Sequence, residues 1–271
     1  MGHNVGVRKL LIGTGVAVLT VLLGAVGVDF GTAIVAEYRL SRAVRTANDL
    51  HWDPSVAILG FPFIPQAMRH HYRELEIKAT GVEQPHVGEA SLEATMHDID
   101  LTHTSWLIGP DAVLPLGKLE SRIIIDSSHL GAFMNMKDLI VEAPSRETND
   151  ATGGTTESGI SDSHGLVFTG TPTAAGFHER VSVSVDLTTA GPDHTTLVMT
   201  PTGVLTGPNT ADQEVPDDKR DAVLNAFRAE LPDQRLPFGL APTSQGARGS
   251  DVIIEGITEG LTVDLTEFRQ S

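Results

Sequence analysis

Eleven histidines and no cysteine pose the first question about this 271-residue chain, which is whether its polar side chains are spaced to do chemistry. His70 and His71 are adjacent, and adjacent side chains on a strand point to opposite faces, so the pair cannot grip one ion. His97 and His103, with Asp98 and Asp100, form the densest remaining cluster of ligand-type residues. A metal site needs such groups to converge, and nothing in this spacing makes them do so. Alternation along a strand puts Asp98 and Asp100 on an outer face beside solvent, where they would share no buried environment to shift a pKa for paired-carboxylate hydrolysis. No Gly-x-Ser-x-Gly nucleophile elbow occurs, and neither His-Glu-x-x-His nor the phosphate-loop pattern is present. Gly13-x-Gly15 has Val18 where a dinucleotide loop requires its third glycine. The absence of cysteine removes disulfides, thiol catalysis and a lipid-modified N-terminal cysteine. The polar residues therefore indicate no metal, no cofactor and no catalytic group, and the chain reads as a non-enzyme.

Charge narrows the partners. The formal net charge is −16, and after residue 50 there are 14 basic against 32 acidic side chains. Nucleic acid is excluded as a partner, since phosphate binding needs clustered Lys and Arg. The same balance makes the body a poor electrostatic partner for an anionic bilayer.

The elements that would carry a site begin with a membrane-length segment. Leu10–Val28 is 19 residues without a charge, preceded by Arg8-Lys9 and followed by Asp29. As a helix it would be about 28 Å long, close to the ~30 Å of bilayer hydrocarbon. It reads as a signal anchor, favoured by its length, or as a signal peptide cut near Ala25-Val26-Gly27. Arg8 and Lys9 argue for a cytoplasmic N-terminus, a bias weakened by Arg39, Arg42 and Arg45, and the body is placed outside the membrane. The chain thus divides into residues 1–28 and a body of residues 29–271.

Within the body, Ala33, Ala36, Leu40, Val44, Ala47 and Leu50 recur at helical spacing and predict an amphipathic helix over 32–50. Strands are expected where Leu75 and Ile77 alternate with charges, and at Ile123–Ile125 and Leu139–Val141. Leu92, Ala94 and Met96 hold one register and Ile99 and Leu101 the other, which predicts a bulge near His97-Asp98. Val181, Val183, Val185 and Leu187 predict a hairpin with Thr196–Thr200 about Gly191-Pro192-Asp193, and Val252–Ile254 is expected to pair with Leu261–Leu265. Short helices are expected after Ser127-Ser128 and after Pro216, the second carrying Val223, Leu224, Phe227 and Leu231 and ending at Pro232. Residues 146–162, rich in Thr, Ser, Gly and Asp, read as a surface loop. The pattern is that of an α+β fold.

One apolar stretch stands apart. Gly60-Phe61-Pro62-Phe63-Ile64-Pro65 holds two of the nine phenylalanines, interleaved with prolines. Proline fixes φ and biases the preceding residue toward extended geometry. The stretch is therefore expected to be a stiff extended ribbon with Phe61 and Phe63 on one side, lying against a core, a lipid or a membrane.

Val56-Ala57-Ile58-Leu59-Gly60-Phe61-Pro62-Phe63-Ile64 resembles the V-x-I-x-G-F-P-F-L signature of the actinobacterial LmeA-like phospholipid-binding family of cell-envelope proteins. Further likenesses follow in order: Tyr72-x-x-Leu75-x-Ile77, Asp126 through Phe133, Gly165–Phe168, Thr200-Pro201, and Leu236-Pro237-Phe238-Gly239-Leu240. The stretch after Pro144 departs from the family pattern. The resemblance implies a tubular lipid-binding fold in which a long helix packs on a strongly curved antiparallel β-sheet enclosing an apolar tunnel. It implies a phospholipid partner, a place at the outer face of the plasma membrane, anchored through Leu10–Val28 or secreted, and a carrier or sensor role in envelope glycolipid or lipoglycan assembly. A membrane glycosyltransferase would be the enzyme served. Phe61, Phe63, Ile64, Phe133, Met134, Met136, Phe227 and Phe238 are then expected at the tunnel or its rim, although plain core packing would account for each as well. The competing reading is an envelope scaffold that stabilises a membrane enzyme and needs no lipid cargo.

Overall fold

The chain has no proline before Pro54, so nothing interrupts helical hydrogen bonding at its start. A computed structural model, which describes residues 3–144, 160–207, 210–211 and 213–269, shows the consequence: one helix, α1, runs from His3–Ala47. The membrane-length segment and the predicted amphipathic helix are thus a single rod rather than two elements. Its apolar part reaches a mean hydropathy of 2.1 and is compatible with a membrane anchor or a signal segment. Residues 13–28 are all exposed, and Asp29 is the first buried residue. From there Ala36, Leu40 and Val44 bury one stripe of the helix against β1 (Ser55–Leu59) and α2 (Phe63–Met68). Asp49, with φ of 49°, turns the chain out of the helix, and Asn48 ties its end to the C-terminus: its amide donates to Leu265 O and its Oδ1 accepts from Arg269 N–H.

The remaining elements follow in chain order: β2 (His71–Gln84), β3 (Gly88–Asp100), β4 (Val113–Ile125), α3 (Ser127–Phe133), β5 (Ile140–Glu142) and β6 (Leu166–Gly170). Then come β7 (Val181–Ala190), β8 (Thr196–Leu205), α4 (Arg220–Phe227), β9 (Ala229–Leu231), β10 (Ser244–Arg248) and β11 (Asp251–Asp264). They build two antiparallel sheets, ordered β1-β2-β3-β4-β11-β10 and β5-β6-β7-β8-β9. The α+β class is as expected, but there are two open sheets where one curved sheet was implied, and neither closes into a barrel. One apolar core joins them, with Tyr72, Leu75, Ile77, Met96, Phe168 and Phe227 fully buried.

Several local expectations need correction. Val252–Ile254 and Leu261–Leu265 do not form a hairpin, because the polar stretch between them simply continues β11 along β4. Leu231 is not on the helix: α4 ends at Phe227, and Leu231 pairs with Leu197 in β9. The register shift expected at His97-Asp98 lies instead on β2, between Ala79 and Val82. The phase change in β3 is made by Asp98 alone, with φ of 51°, and pairing on both sides keeps its register.

The Gly60–Pro65 stretch is extended only at first. Gly60 has φ of +100°, the Phe61–Pro62 bond is cis, and Phe63 then begins α2. Pro65 is tolerated there because first-turn residues of a helix have no intrahelical partner for their N–H. Phe61 and Phe63 consequently part company: Phe61 is exposed and stacks on Phe30, while Phe63 is buried against Tyr72 and Trp106. Most of the predicted loop 146–162 lies outside the described residues, but its end is packed. Ile160 is fully buried, and Ser161 N–H donates to Ala247 O at 2.9 Å. Gly246 makes that approach possible, since a Cβ there would collide with the Ser161 carbonyl oxygen.

Candidate functional site

Three of the eight residues singled out in the sequence meet in one place. Asp126 caps α3 by accepting from Ser128 N–H at 2.7 Å, so the cap lies one residue before the serines expected to fill that role and Ser127 is already helical. The helix ends at Met134, and Asn135, with φ of 56°, reverses the chain so that Met136 N–H donates back to Gly131 O at 2.7 Å. A Cβ at Gly131 would strike the Met136 carbonyl, and one at Gly170 would strike the Met136 sulfur. These two glycines let Met136 lie flat against β6, 2 % exposed. Phe133 and Met134 remain half-buried on the outer side of the same turn.

They form one wall of a groove of about 330 Å³ that opens to solvent. Pro172, Thr173 and Ala174 face them from a 3-10 turn, and Ala226, Arg228 and Ala229 close the floor and far rim from the α4–β9 junction. That volume is at the small end of ligand sites, which span roughly 300–1,000 Å³. Arg228 forms no ion pair among the described residues, and Asn135, Asn225 and Glu230 line the groove with it, so the apolar wall is set against a polar rim that carries both charges. The turn carrying Pro172 is held by Asp138, whose carboxylate accepts from Thr171 N–H at 2.9 Å, from the Thr171 hydroxyl at 2.8 Å and from Arg180 at 3.1 Å. Burial pushes the Asp138 carboxyl up, but these hydrogen bonds outweigh it and leave it below the usual carboxylate range.

The other five lie elsewhere. Phe227, on the last turn of α4, is fully buried behind the groove. Phe61, Phe63 and Ile64 cluster where α2 meets α1: Asp29 accepts from Phe63 N–H at 2.8 Å and from Ile64 N–H at 2.7 Å. Phe238 packs edge-on against Phe268, its backbone in the left-handed region at φ of 59°. The facing side of the groove, Pro172–Ala174 and Arg228, had no signal in the sequence, because only the fold brings residues 39 to 95 positions beyond Phe133 to α3.

The polar clusters assemble no reactive centre. His71 and Asp98 are 3.6 Å apart at the surface, and His97 faces Glu120 at 3.5 Å on the other side of the strand phase change. Among the described residues no group of three or more His, Asp or Glu side chains is placed to hold a metal ion. Ser163, His164 and Asp162 lie together, but the Ser163 hydroxyl and the Asp162 carboxylate both meet His164 Nδ1, at 3.2 and 3.1 Å. A relay needs the base and its orienting carboxylate on different ring nitrogens, so this is a surface turn and not a triad.

The chain thus carries a long apolar helix, a two-sheet α+β body and a small groove with an apolar wall and a polar rim. The chain belongs to the LmeA-like phospholipid-binding family, whose model matches residues 27–257. No curated protein and no solved structure matches it.

Proposed function

We propose that this protein is a non-enzymatic phospholipid binder of the cell envelope, anchored by α1 at the outer face of the plasma membrane. The observation that carries the reading is the family match over residues 27–257, together with a groove that agrees with it in chemistry. Phe133, Met134 and Ala174 offer acyl chains an apolar wall, and methionine adapts to irregular, flexible ligands. Arg228, at a rim it shares with Glu230, would meet the phosphate. The tunnel implied by the resemblance would form by widening of this groove toward the core between the sheets, with Phe227 and Met136 as its inner lining. Phe61, Phe63, Ile64 and Phe238 would then serve packing and membrane contact and not cargo. Carriage or sensing of phospholipid for envelope glycolipid or lipoglycan assembly, with a membrane glycosyltransferase as the enzyme served, is the role that fits such a binder.

Acyl burial supplies about 0.8 kcal/mol per methylene and is not screened by salt, whereas exposed ion pairs are. Phospholipid affinity of the body, measured by displacement of a fluorescent phospholipid, should therefore change less than about twofold between low and physiological ionic strength. A fall of tenfold or more would show that headgroup charge, and not the groove, holds the lipid. No binding in either salt by a folded body would favour a scaffold without cargo.

A further inference from the structure

The helix that precedes the body is not loosely tethered to it. Beyond Val28, α1 is clamped at three levels: Asp29 accepts from Phe63 and Ile64 N–H, Glu37 accepts from Ile58 N–H at 2.9 Å, and the Ser41 hydroxyl donates to Pro54 O at 2.6 Å. Any orientation that α1 takes in a bilayer is imposed on the body.

The exposed apolar surface is distributed accordingly. Off α1, the large exposed hydrophobic residues among those described are Trp52, Leu59, Phe61, Met68 and Val113. Three of these five lie in the β1–α2 region that packs on α1: Leu59 ends β1, Phe61 is in the connection and Met68 ends α2. Phe61 is 58 % exposed and stacks at 5.7 Å on Phe30, itself 55 % exposed. Phe30 stands two residues past the uncharged segment, about 3 Å along the helix axis, so the aromatic pair is level with the end of the span. The same helix face continues through Ile34 and Tyr38, both exposed, and closes with Arg42 over the Tyr38 ring. Arg69 and Arg73 are exposed beside Met68 and Gly60, and neither forms an ion pair among the described residues. In a chain of net charge −16 this corner pairs exposed apolar and aromatic side chains with free arginines, the composition of a membrane-interface belt.

We propose that the body itself is seated on the bilayer surface through Phe30, Ile34, Leu59, Phe61 and Met68, with Arg69 and Arg73 at headgroup level. The seat rests on the reading of α1 as a membrane anchor and adds to it that the body does not float free above its anchor but touches the lipid. Cargo would then be exchanged at the membrane surface without a swinging domain.

The cysteine-free chain makes the test direct. The full chain carrying one of Phe61→Cys, Ile34→Cys, Trp52→Cys or Leu19→Cys is labelled with an environment-sensitive fluorophore and reconstituted into phosphatidylcholine–phosphatidylglycerol vesicles. Trp52 is the control outside the seat, because α1 rises about 26 Å between Phe30 and Ala47. Labels at 61 and 34 should be quenched severalfold more than the label at 52 by phospholipids brominated near the glycerol end of the acyl chain. The label at 19 should be quenched by bromines deeper in the bilayer. Quenching at 19 with a water-like signal at 61 and 34 would overturn the seat while leaving the anchor. No quenching at 19 would overturn both. All four substitutions fall on exposed side chains, and far-UV circular dichroism confirms the fold in each.

Discussion

Replacing Arg122 by alanine should cost roughly 3–5 kcal/mol of folding stability, the range for breaking a buried ion pair from one side. Arg122 lies on the middle strand of three, with Glu93 aligned across from it on β3 and Glu255 on β11. Its Nε donates to Glu255 at 2.6 Å and its Nη2 to Glu120 at 2.8 Å. Glu255 is 1 % exposed, and its second carboxylate oxygen has the Ser244 hydroxyl at 3.2 Å. Without the guanidinium that carboxylate would be buried with one weak partner. Chemical denaturation at neutral pH measures the loss, and Arg122→Met combined with Glu255→Leu should recover most of it, because an apolar pair of similar size needs no desolvated charge. A loss under about 1 kcal/mol for Arg122→Ala would mean that water reaches Glu255. Acid should weaken the same cluster. Burial pushes the Glu120 carboxyl up, but the Lys118 hydrogen bond and the charges of Lys118 and Arg122 outweigh it and lower it. Its folded pKa thus lies below its unfolded one, so the stabilisation is complete above the ordinary glutamate range and is lost as pH falls through the lowered folded value.

Met134→Asp should weaken phospholipid binding about tenfold or more while leaving the fold intact. Burying even an uncharged polar group without a partner costs roughly 1–3 kcal/mol on protein scales and a carboxylate costs more, hence a loss of affinity of about tenfold or more. Met134 is half-buried at the groove wall, so in the lipid-free protein the new carboxylate can reach water and far-UV circular dichroism should not change. Phe227→Asp makes the contrast. Phe227 is fully buried, and a charge there should unfold the body. Met134→Leu should bind nearly as the parent does, since the swap conserves volume and apolarity. Unchanged affinity in Met134→Asp would place the lipid elsewhere on the molecule.

Periodicity carried what depends on neighbours in sequence. The Val181–Leu187 alternation and its Gly191 turn, the start of α3, the α4 stripe at Val223 and Phe227, and the buried face of α1 are all readable at spacings of two or of three to four. What it could not carry are choices made at a distance. Prolines suggested an extended ribbon at Phe63–Pro65, but capping by Asp29, 34 positions earlier, makes a helix there. Alternation alone cannot say whether Val252–Ile254 and Leu261–Leu265 face each other or follow one another along β4. The groove was half legible: Phe133, Met134 and Met136 are close in sequence and stay close in space, while Arg228 and Pro172 arrive only through the packing of the second sheet on α3. The charged ladder of Glu93, Arg122 and Glu255 was invisible, because each residue alone looks like a solvated strand position.

Native mass spectrometry of the body most directly tests the claim that this protein holds phospholipid in an apolar site. Residues 13–28 are exposed and Asp29 is the first buried residue after them, so a chain starting at Ala25 keeps the packing of α1 on the body described from Asp29 onward and is expected to need no detergent. After mixing with phospholipid vesicles and removing them, the folded body should carry one phospholipid mass, retained in Phe61→Ser and strongly reduced in Met134→Asp. A folded body that carries no lipid, or that keeps its lipid in Met134→Asp and loses it in Phe61→Ser, would contradict the assignment of the groove.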